Sequence, residues 1–171
     1  GMVGLIHRQE ADISGIEVGK PLAGLWEKAT KDGMTLEAFH QSITAEILLM
    51  GRYGILVDMP RTNGEVEALP YFVGYQTESI INWSEGDVRD LFVLDESGYR
   101  RDTSQADGSE FIWNYERQYR VLRLRNGSYS QQVYQDEFPV AETLVEPTAR
   151  GNRTFNEIPF IMVGPTTLTL E

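Results

Sequence analysis

The hydrophobic period of this chain changes at Gly51, and the change limits the folds open to it. Before Gly51, apolar residues recur every three or four positions, as on the buried face of a helix. After it, the segment Tyr53–Asp58 is short, almost continuously apolar and partly β-branched, as in a buried strand. Helical patterns lie only before this point and strand patterns only after it. The sequence therefore predicts an α+β fold with two N-terminal helices followed by a mainly antiparallel β-sheet.

Two helices are predicted before Gly51. The first begins at Pro21, which suits the first helical position, and ends at Asp32-Gly33. Its apolar stripe consists of Leu22, Leu25, Trp26 and Ala29. The second begins after Thr35, whose side chain can cap the helix, and ends at Gly51. Its buried face consists of Leu36, Phe39, Ile43, Ile47 and Met50.

Apolar segments after Gly51 predict strands, and the dipeptide Asn126-Gly127 is a strong hairpin signal between two of them. The predicted strands are Tyr53–Asp58, 70–76, 78–83, 88–96, a hairpin with arms 110–125 and 128–135, and 155–164. Residues 97–110 are too polar for anything but a loop or the end of a long hairpin, and residues 136–154 have loop composition. The length fits a single domain over residues 1–171, with a helical part at 20–51 and a β-rich part at 52–164.

The charge and the cysteine content exclude several classes of protein. The formal net charge is −11, and so acidic a chain is repelled by phosphate backbones unless its basic residues gather on one face. A free-standing DNA-binding module is therefore not expected, whereas a surface that DNA passes without binding is compatible with this charge. The chain has no cysteine, which excludes disulfides, thiolate zinc sites and a cysteine nucleophile.

The motifs of nucleotide and metal sites are absent or incomplete. The segment 15–21, GIEVGKP, is one residue short of a phosphate-binding loop, and Pro21 replaces the metal-binding hydroxyl. His7 and His40 have no further ligand at metal-site spacing, and His40 is expected on the polar face of the second helix. An acidic group without calcium-loop spacing is interpreted as a solvated hairpin tip. It consists of Asp95, Glu96, Asp102, Asp107 and Glu110. No residue is assigned a catalytic, cofactor-binding or metal-binding role, and no cofactor is expected.

Asp58 is the acid whose position, at the end of a predicted strand, invites a functional interpretation. A lone carboxylate before Met59-Pro60 more simply accepts hydrogen bonds from the following turn and ends the strand. The alternative is a carboxylate-based hydrolase acting on a sugar or a phosphate, with Asp58 or Glu78 among its acids.

A basic run in the second half of the chain allows two interpretations. Its arginines, interleaved with Trp113, Tyr115 and Tyr119, are Arg117, Arg120, Arg123 and Arg125. They could form an RNA-binding face, or they could make cation–π contacts and cross-strand pairs on the outer side of a sheet. The acidic total favours the second interpretation.

Four stretches carry a resemblance to a known family. They are LLMGRYGILVDMP (48–60), PYFVGYQTESIINW (70–83), QYRVLRL (118–124) and FNEIPFIMVG (155–164). In their order and approximate spacing they resemble a domain-of-unknown-function family of tailed-phage and prophage proteins related to portal proteins. These are packing and turn motifs, so they indicate a family rather than a chemistry.

The resemblance implies a structural role and no enzymatic activity. Portal proteins form a ring at one capsid vertex, through which double-stranded DNA is packaged and ejected. The implied partners are neighbouring portal-like subunits, other phage head proteins and DNA that passes without sequence-specific binding, with no membrane. The implied location is the virion or the cytoplasm of a bacterial host. Tyr129, Tyr134 and Arg120 are of residue types enriched at subunit interfaces.

Members of that family are much longer than 171 residues. The sequence shows no candidate for the channel-lining stem helix or the clip, so the resemblance implies a fragment of the wing-like body of a portal. A further alternative is a small binding module whose partner is another virion protein.

Overall fold

The computed structural model describes residues 1–9, 19–20, 22–59, 69–86, 89–101, 112–149 and 153–164. The helices are α1 (Met2–Ile6) and α2 (Leu36–Met50), with 3₁₀ turns at Ala23–Leu25, Thr77–Ser79 and Ala141–Thr143. The strands are β1 (Tyr53–Asp58), β2 (Tyr71–Gln76), β3 (Ile80–Trp83), β4 (Leu91–Asp95), β5 (Gly98–Arg101), β6 (Trp113–Glu116), β7 (Gln118–Arg125), β8 (Ser128–Gln135), β9 (Phe138–Pro139), β10 (Thr148–Ala149), β11 (Arg153–Thr154) and β12 (Phe160–Val163). Among these residues no helix is both long enough and apolar enough to cross a bilayer.

The helices precede the strands, and all pairings between these strands are antiparallel, which confirms the predicted α+β fold. In the described ranges the strands form four sheets instead of one. They have the orders β12-β1-β2, β3-β4-β7-β8-β9, β5-β6 and β10-β11. One reason is the 3₁₀ turn Thr77–Ser79, which interrupts the extended backbone between β2 and β3.

The chain divides into two compact units. The first comprises Gly1–Thr77 and Pro159–Glu171, and the second comprises Glu78–Ile158. The boundaries therefore lie next to β3 and β12, and not at residue 52, where the sequence pattern changes. The single domain remains a prediction.

In the first unit, α2 packs on one face of the three-stranded sheet. Tyr53 and Ile55 of the central strand lie on this face. A buried cluster of Ala29, Phe39 and Tyr53 forms the core between helix and sheet. Partly buried side chains packed against it are Met34, Leu36, Ile43, Ile47, Ile55 and Phe72. The predicted buried face of α2 is thus confirmed except for Met50, which is 53% exposed in the last turn.

The ends of α2 follow the sequence signals. Thr35 Oγ1 accepts a hydrogen bond from the amide of Ala38 at 3.2 Å, which caps the N-terminus. Gly51 ends the helix in the left-handed conformation, with φ +76°. Glycine reaches this conformation without the steric cost that a Cβ adds.

The predicted helix from Pro21 to Gly33 is wrong, because the described residues of this segment form only the 3₁₀ turn Ala23–Leu25. Pro21 itself lies outside the described residues. The described residues of the range 20–28 make short-range backbone hydrogen bonds, such as that from the amide of Lys28 to the carbonyl of Gly24 at 3.1 Å. At Ala29 the backbone pairs with β2 instead, because the Ala29 carbonyl accepts from the amide of Phe72 at 2.7 Å. The Thr30 side chain accepts from the amide of Met34 at 3.0 Å. Of the predicted stripe, Leu25 and Ala29 are buried, whereas Leu22 is 38% exposed. The non-local hydrogen bond between Ala29 and Phe72 replaces the helical hydrogen bonding expected at Ala29.

The hydroxyl of Tyr53 lies in the buried space between α2 and the sheet. Burial raises the pKa of Tyr53 above its usual value of 10.0, outweighing the opposing effect of a hydrogen bond with Ser42, and the charge of Glu46 raises it further. Glu46 in turn accepts a hydrogen bond from Gln76 Nε2 at 3.1 Å. The phenol therefore holds its proton more tightly in the folded protein than in the unfolded chain.

Tyr53→Phe should make stability less sensitive to alkaline pH. The stabilisation from a raised phenol pKa is complete below the unfolded value and is lost as the pH rises through the higher folded value. The free energy of unfolding, measured with urea from about pH 8 to about pH 11, should thus fall less steeply in the variant than in the wild type. Tyr99→Phe is the control, because Tyr99 is exposed, and its slope should match the wild type. Equal slopes for all three proteins would contradict the prediction.

In the second unit, the hairpin β7–β8 forms the centre of the five-stranded sheet. Asn126 and Gly127 have φ +52° and +75°, as a two-residue turn of type I′ requires, and Arg125 pairs with Ser128 across it. The predicted hairpin is confirmed for residues 118–125 and 128–135, whereas residues 113–116 of the predicted first arm pair with β5. One face of the sheet carries a row of buried side chains. They are Ile80, Trp83, Phe92, Leu94, Leu122 and Tyr129.

Candidate interaction surface

The hairpin of β4 and β7 continues beyond the five-stranded sheet as a separate two-stranded ribbon. β5 follows β4 after Glu96-Ser97, and β6 precedes β7 by one residue, Arg117. The amide of Glu96 donates to the carbonyl of Gln118 at 2.8 Å, so the two arms stay paired across the interruption. We call β5 and β6, residues Gly98–Arg101 and Trp113–Glu116, the aromatic ribbon. The prediction of a long hairpin end is confirmed for residues 97–101.

A half-buried polar cluster joins the ribbon to the sheet. Arg120 Nε and Nη2 donate to the two carboxylate oxygens of Glu96 at 2.7 and 3.4 Å, and Arg120 Nη1 donates to Gln131 Oε1 at 3.0 Å. Gln118 Nε2 donates to Glu96 Oε2 at 2.9 Å. Gln118 Oε1 accepts from Arg100 Nη2 of the ribbon at 3.0 Å. Charge-assisted bonds of this kind are the stronger ones, so they hold the base of the ribbon in a defined direction.

Glu96→Gln should loosen the ribbon without unfolding the sheet. The amide keeps the size of the side chain but loses the charge that Arg120 pairs with, which should cost about 1–2 kcal/mol, since the two side chains are only 17% and 24% exposed. Hydrogen exchange of the Tyr99 and Tyr115 amides should accelerate more than exchange in the centre of β7. Glu116→Gln, at the more exposed pair with Arg100, is the matched control and should have a smaller effect. Equal acceleration in both variants would contradict this role of Glu96.

One face of the aromatic ribbon is apolar and exposed. Tyr99 lies directly opposite Tyr115, and Arg101 lies opposite Trp113. Since side chains alternate along a strand, all four share one face. Tyr99, Trp113 and Tyr115 are 72%, 56% and 57% exposed, and the two tyrosine rings meet edge to face at 5.3 Å. Neighbouring exposed aromatic side chains of this size are typical of an interaction surface.

The other face of the ribbon is polar, and its charge is balanced within the ribbon. Arg100 Nε lies 3.0 Å from Glu116 Oε2, and the same arginine reaches Gln118. The ribbon with its flanking residue Arg117 holds three arginines and one glutamate. Arg101 is exposed on the aromatic face. The residues that join β5 to β6 include Asp102, Asp107 and Glu110, so residues 98–117 as a whole carry three arginines and four acids.

A second exposed surface of the same unit is acidic. The segment Asp136–Glu146 runs along the edge of the five-stranded sheet formed by β8, where Phe138 pairs with Gln135 and Val145 bridges Gln131. Its acids are Asp136, Glu137, Glu142 and Glu146, with no basic residue among them. Phe138 and Leu144 are 76% and 56% exposed. We call this segment the acidic edge.

The arginines of the predicted basic run do not form one face. Arg120 and Arg123 lie three positions apart on β7 and therefore point to opposite sides of the sheet. Arg120 pairs with Glu96, and the Arg123 guanidinium lies 5.4 Å from the ring centre of Tyr134 while Nη1 donates to its hydroxyl at 2.9 Å. Arg123 confirms the predicted cation–π contact on the outer side of the sheet. Arg120 also pairs within the sheet, but on the face of the buried row, since it lies opposite Leu94. Arg117 and Arg125 are exposed.

Of the three residues proposed from type alone as interface candidates, one is buried and two are half-buried. Tyr129 is 2% exposed, because the turn at Asn126-Gly127 places it opposite Leu124 on the buried side. Tyr134 and Arg120 are half-buried in the contacts just described. Exposed aromatic residues of this unit are instead Tyr99, Trp113 and Tyr115 of the ribbon and Phe138 of the acidic edge.

Asp58 is the polar end of β1. Its Oδ1 accepts from the amide of Met59 at 2.9 Å, and its Oδ2 accepts from the hydroxyl of Tyr71 at 3.2 Å. Tyr71 lies directly opposite on β2, so these bonds join the strand ends, as the simpler interpretation predicted. Glu78 is exposed in the 3₁₀ turn Thr77–Ser79.

The two histidines contact each other, which the sequence did not indicate. The rings of His7 and His40 meet edge to face at 4.7 Å, and His7 Nε2 lies 2.8 Å from Thr44 Oγ1. His40 is half-buried, and its contact is with His7, which directly follows α1, so the part of α2 predicted as its polar face is partly covered at His40. Within the described ranges no group of three or more His, Asp or Glu side chains is placed to hold a metal ion.

Several residues weighed for binding lie outside the described ranges. They are Asp102, Asp107 and Glu110 of the acidic loop, and residues 15–18 and 21 of the glycine-containing segment. Neither a family model nor a curated protein matches this chain.

Proposed function

We propose that this chain is a structural component of a tailed-phage or prophage head, similar to a portal protein, and that it acts through assembly and not through catalysis. It would contribute to the ring through which DNA is packaged and ejected. Its partners would be neighbouring portal-like subunits and other head proteins, in the virion or in the cytoplasm of a bacterial host.

The observation that carries this proposal is the aromatic face of the ribbon. Three large aromatic side chains on a short two-stranded ribbon lose hydrophobic stabilisation while they face water. Tyrosine, tryptophan and arginine are the residue types most enriched in the energetically important centres of protein interfaces. A protein partner that covers this face would supply the burial that the isolated chain lacks.

The net charge of the chain supports a role in which DNA passes the protein without being bound tightly. Each phosphate neutralised by a basic residue adds a salt-dependent contribution to binding. A conduit must let DNA slide, so a net charge of −11 suits a passage better than it suits a clamp. The second support is the resemblance of the four stretches between residues 48 and 164 to portal-related proteins.

The test is to ask whether the protein is present in heads. An antibody against the chain should detect it in purified, DNA-filled heads of the phage or prophage whose genome encodes it, in a fixed ratio to the major capsid protein. Deleting its gene should give heads that contain no DNA, and the wild-type gene supplied in trans should restore packaging. Absence of the chain from DNA-filled heads, or normal packaging without its gene, would overturn the proposal.

A further inference from the structure

We draw no further inference here: the strongest candidate, the exposed face of the aromatic ribbon on which Tyr99, Trp113 and Tyr115 lie, carries nothing beyond the proposed function, because nothing in the described part of the structure shows what covers it.

Discussion

Gly74→Ala should destabilise the first compact unit by about 3 kcal/mol, because the added methyl group has no space. A Cβ on Gly74 would lie 1.8 Å from the Tyr53 hydroxyl oxygen and 2.7 Å from the ring carbon that carries it. Tyr53 is buried in the core between α2 and the sheet, so its ring cannot move aside freely. The free energy of unfolding in urea measures the loss, and faster hydrogen exchange in β1 and β2 locates it.

Two variants show whether the collision is the cause. Gly98→Ala also places a methyl group on a strand, but its Cβ would meet nothing within 4 Å, so its effect should stay within about 0.5 kcal/mol. Adding Tyr53→Phe to Gly74→Ala removes the closest atom and should recover part of the loss, as a coupling between the two sites. Stability of Gly74→Ala equal to the wild type would show that the ring does not lie over Gly74.

Leu122→Ala should cost about 3–4 kcal/mol in the second unit, within the range usual for a buried leucine. Leu122 is 0% exposed, and it lies on β7 between Phe92 of β4 and Gln131 of β8. Truncation there removes apolar contacts on both sides and leaves a cavity that the paired strands cannot close. Urea unfolding followed by circular dichroism gives the free energy.

The matched control for Leu122 is its neighbour on the same face. Leu124→Ala removes the same atoms from a side chain that is only half-buried, so it should cost about 1 kcal/mol. Leu122→Met keeps the volume and should cost less than about 1.5 kcal/mol. A larger loss for Leu124→Ala than for Leu122→Ala would contradict the placement of the core.

Local chemistry was sufficient for the elements that the sequence predicted correctly. Tyr53–Asp58 has the predicted bounds because a helix-ending glycine precedes it and a polar strand end closes it. The hairpin around Asn126-Gly127 was predictable because these two residues reach positive φ at little cost. The burial of Tyr129 could also have been predicted, since a two-residue turn fixes the register that places Tyr129 opposite Leu124.

Non-local contacts account for what the sequence did not predict. The helix expected from Pro21 does not form, and a backbone hydrogen bond joins Ala29 to Phe72 instead. These two residues are more than forty positions apart in the sequence. The aromatic face of the ribbon depends on Tyr99 lying opposite Tyr115, and no two-residue turn fixes that register in the sequence. The contact between His7 and His40 likewise joins separate elements. Residue type alone suggested Tyr134 and Arg120 for an interface. In the structure, Tyr134 accepts a hydrogen bond from Arg123, and Arg120 forms an ion pair with Glu96.

The pairing of β1 with β12 sets an order of events during synthesis. Leu56 and Phe160 are partners about 100 residues apart, and the whole second unit lies between them. At roughly 5–20 residues per second, the ribosome delivers β12 on the order of 5–20 s after β1. During that interval the nascent chain holds β1 with one edge unpaired, while the second unit is being synthesised. Synthesis of the first unit therefore begins before that of the second unit and ends after it. Until β12 is made, the unpaired edge of β1 can pair with the wrong strand, which makes β1 the strand at greatest risk of misassembly.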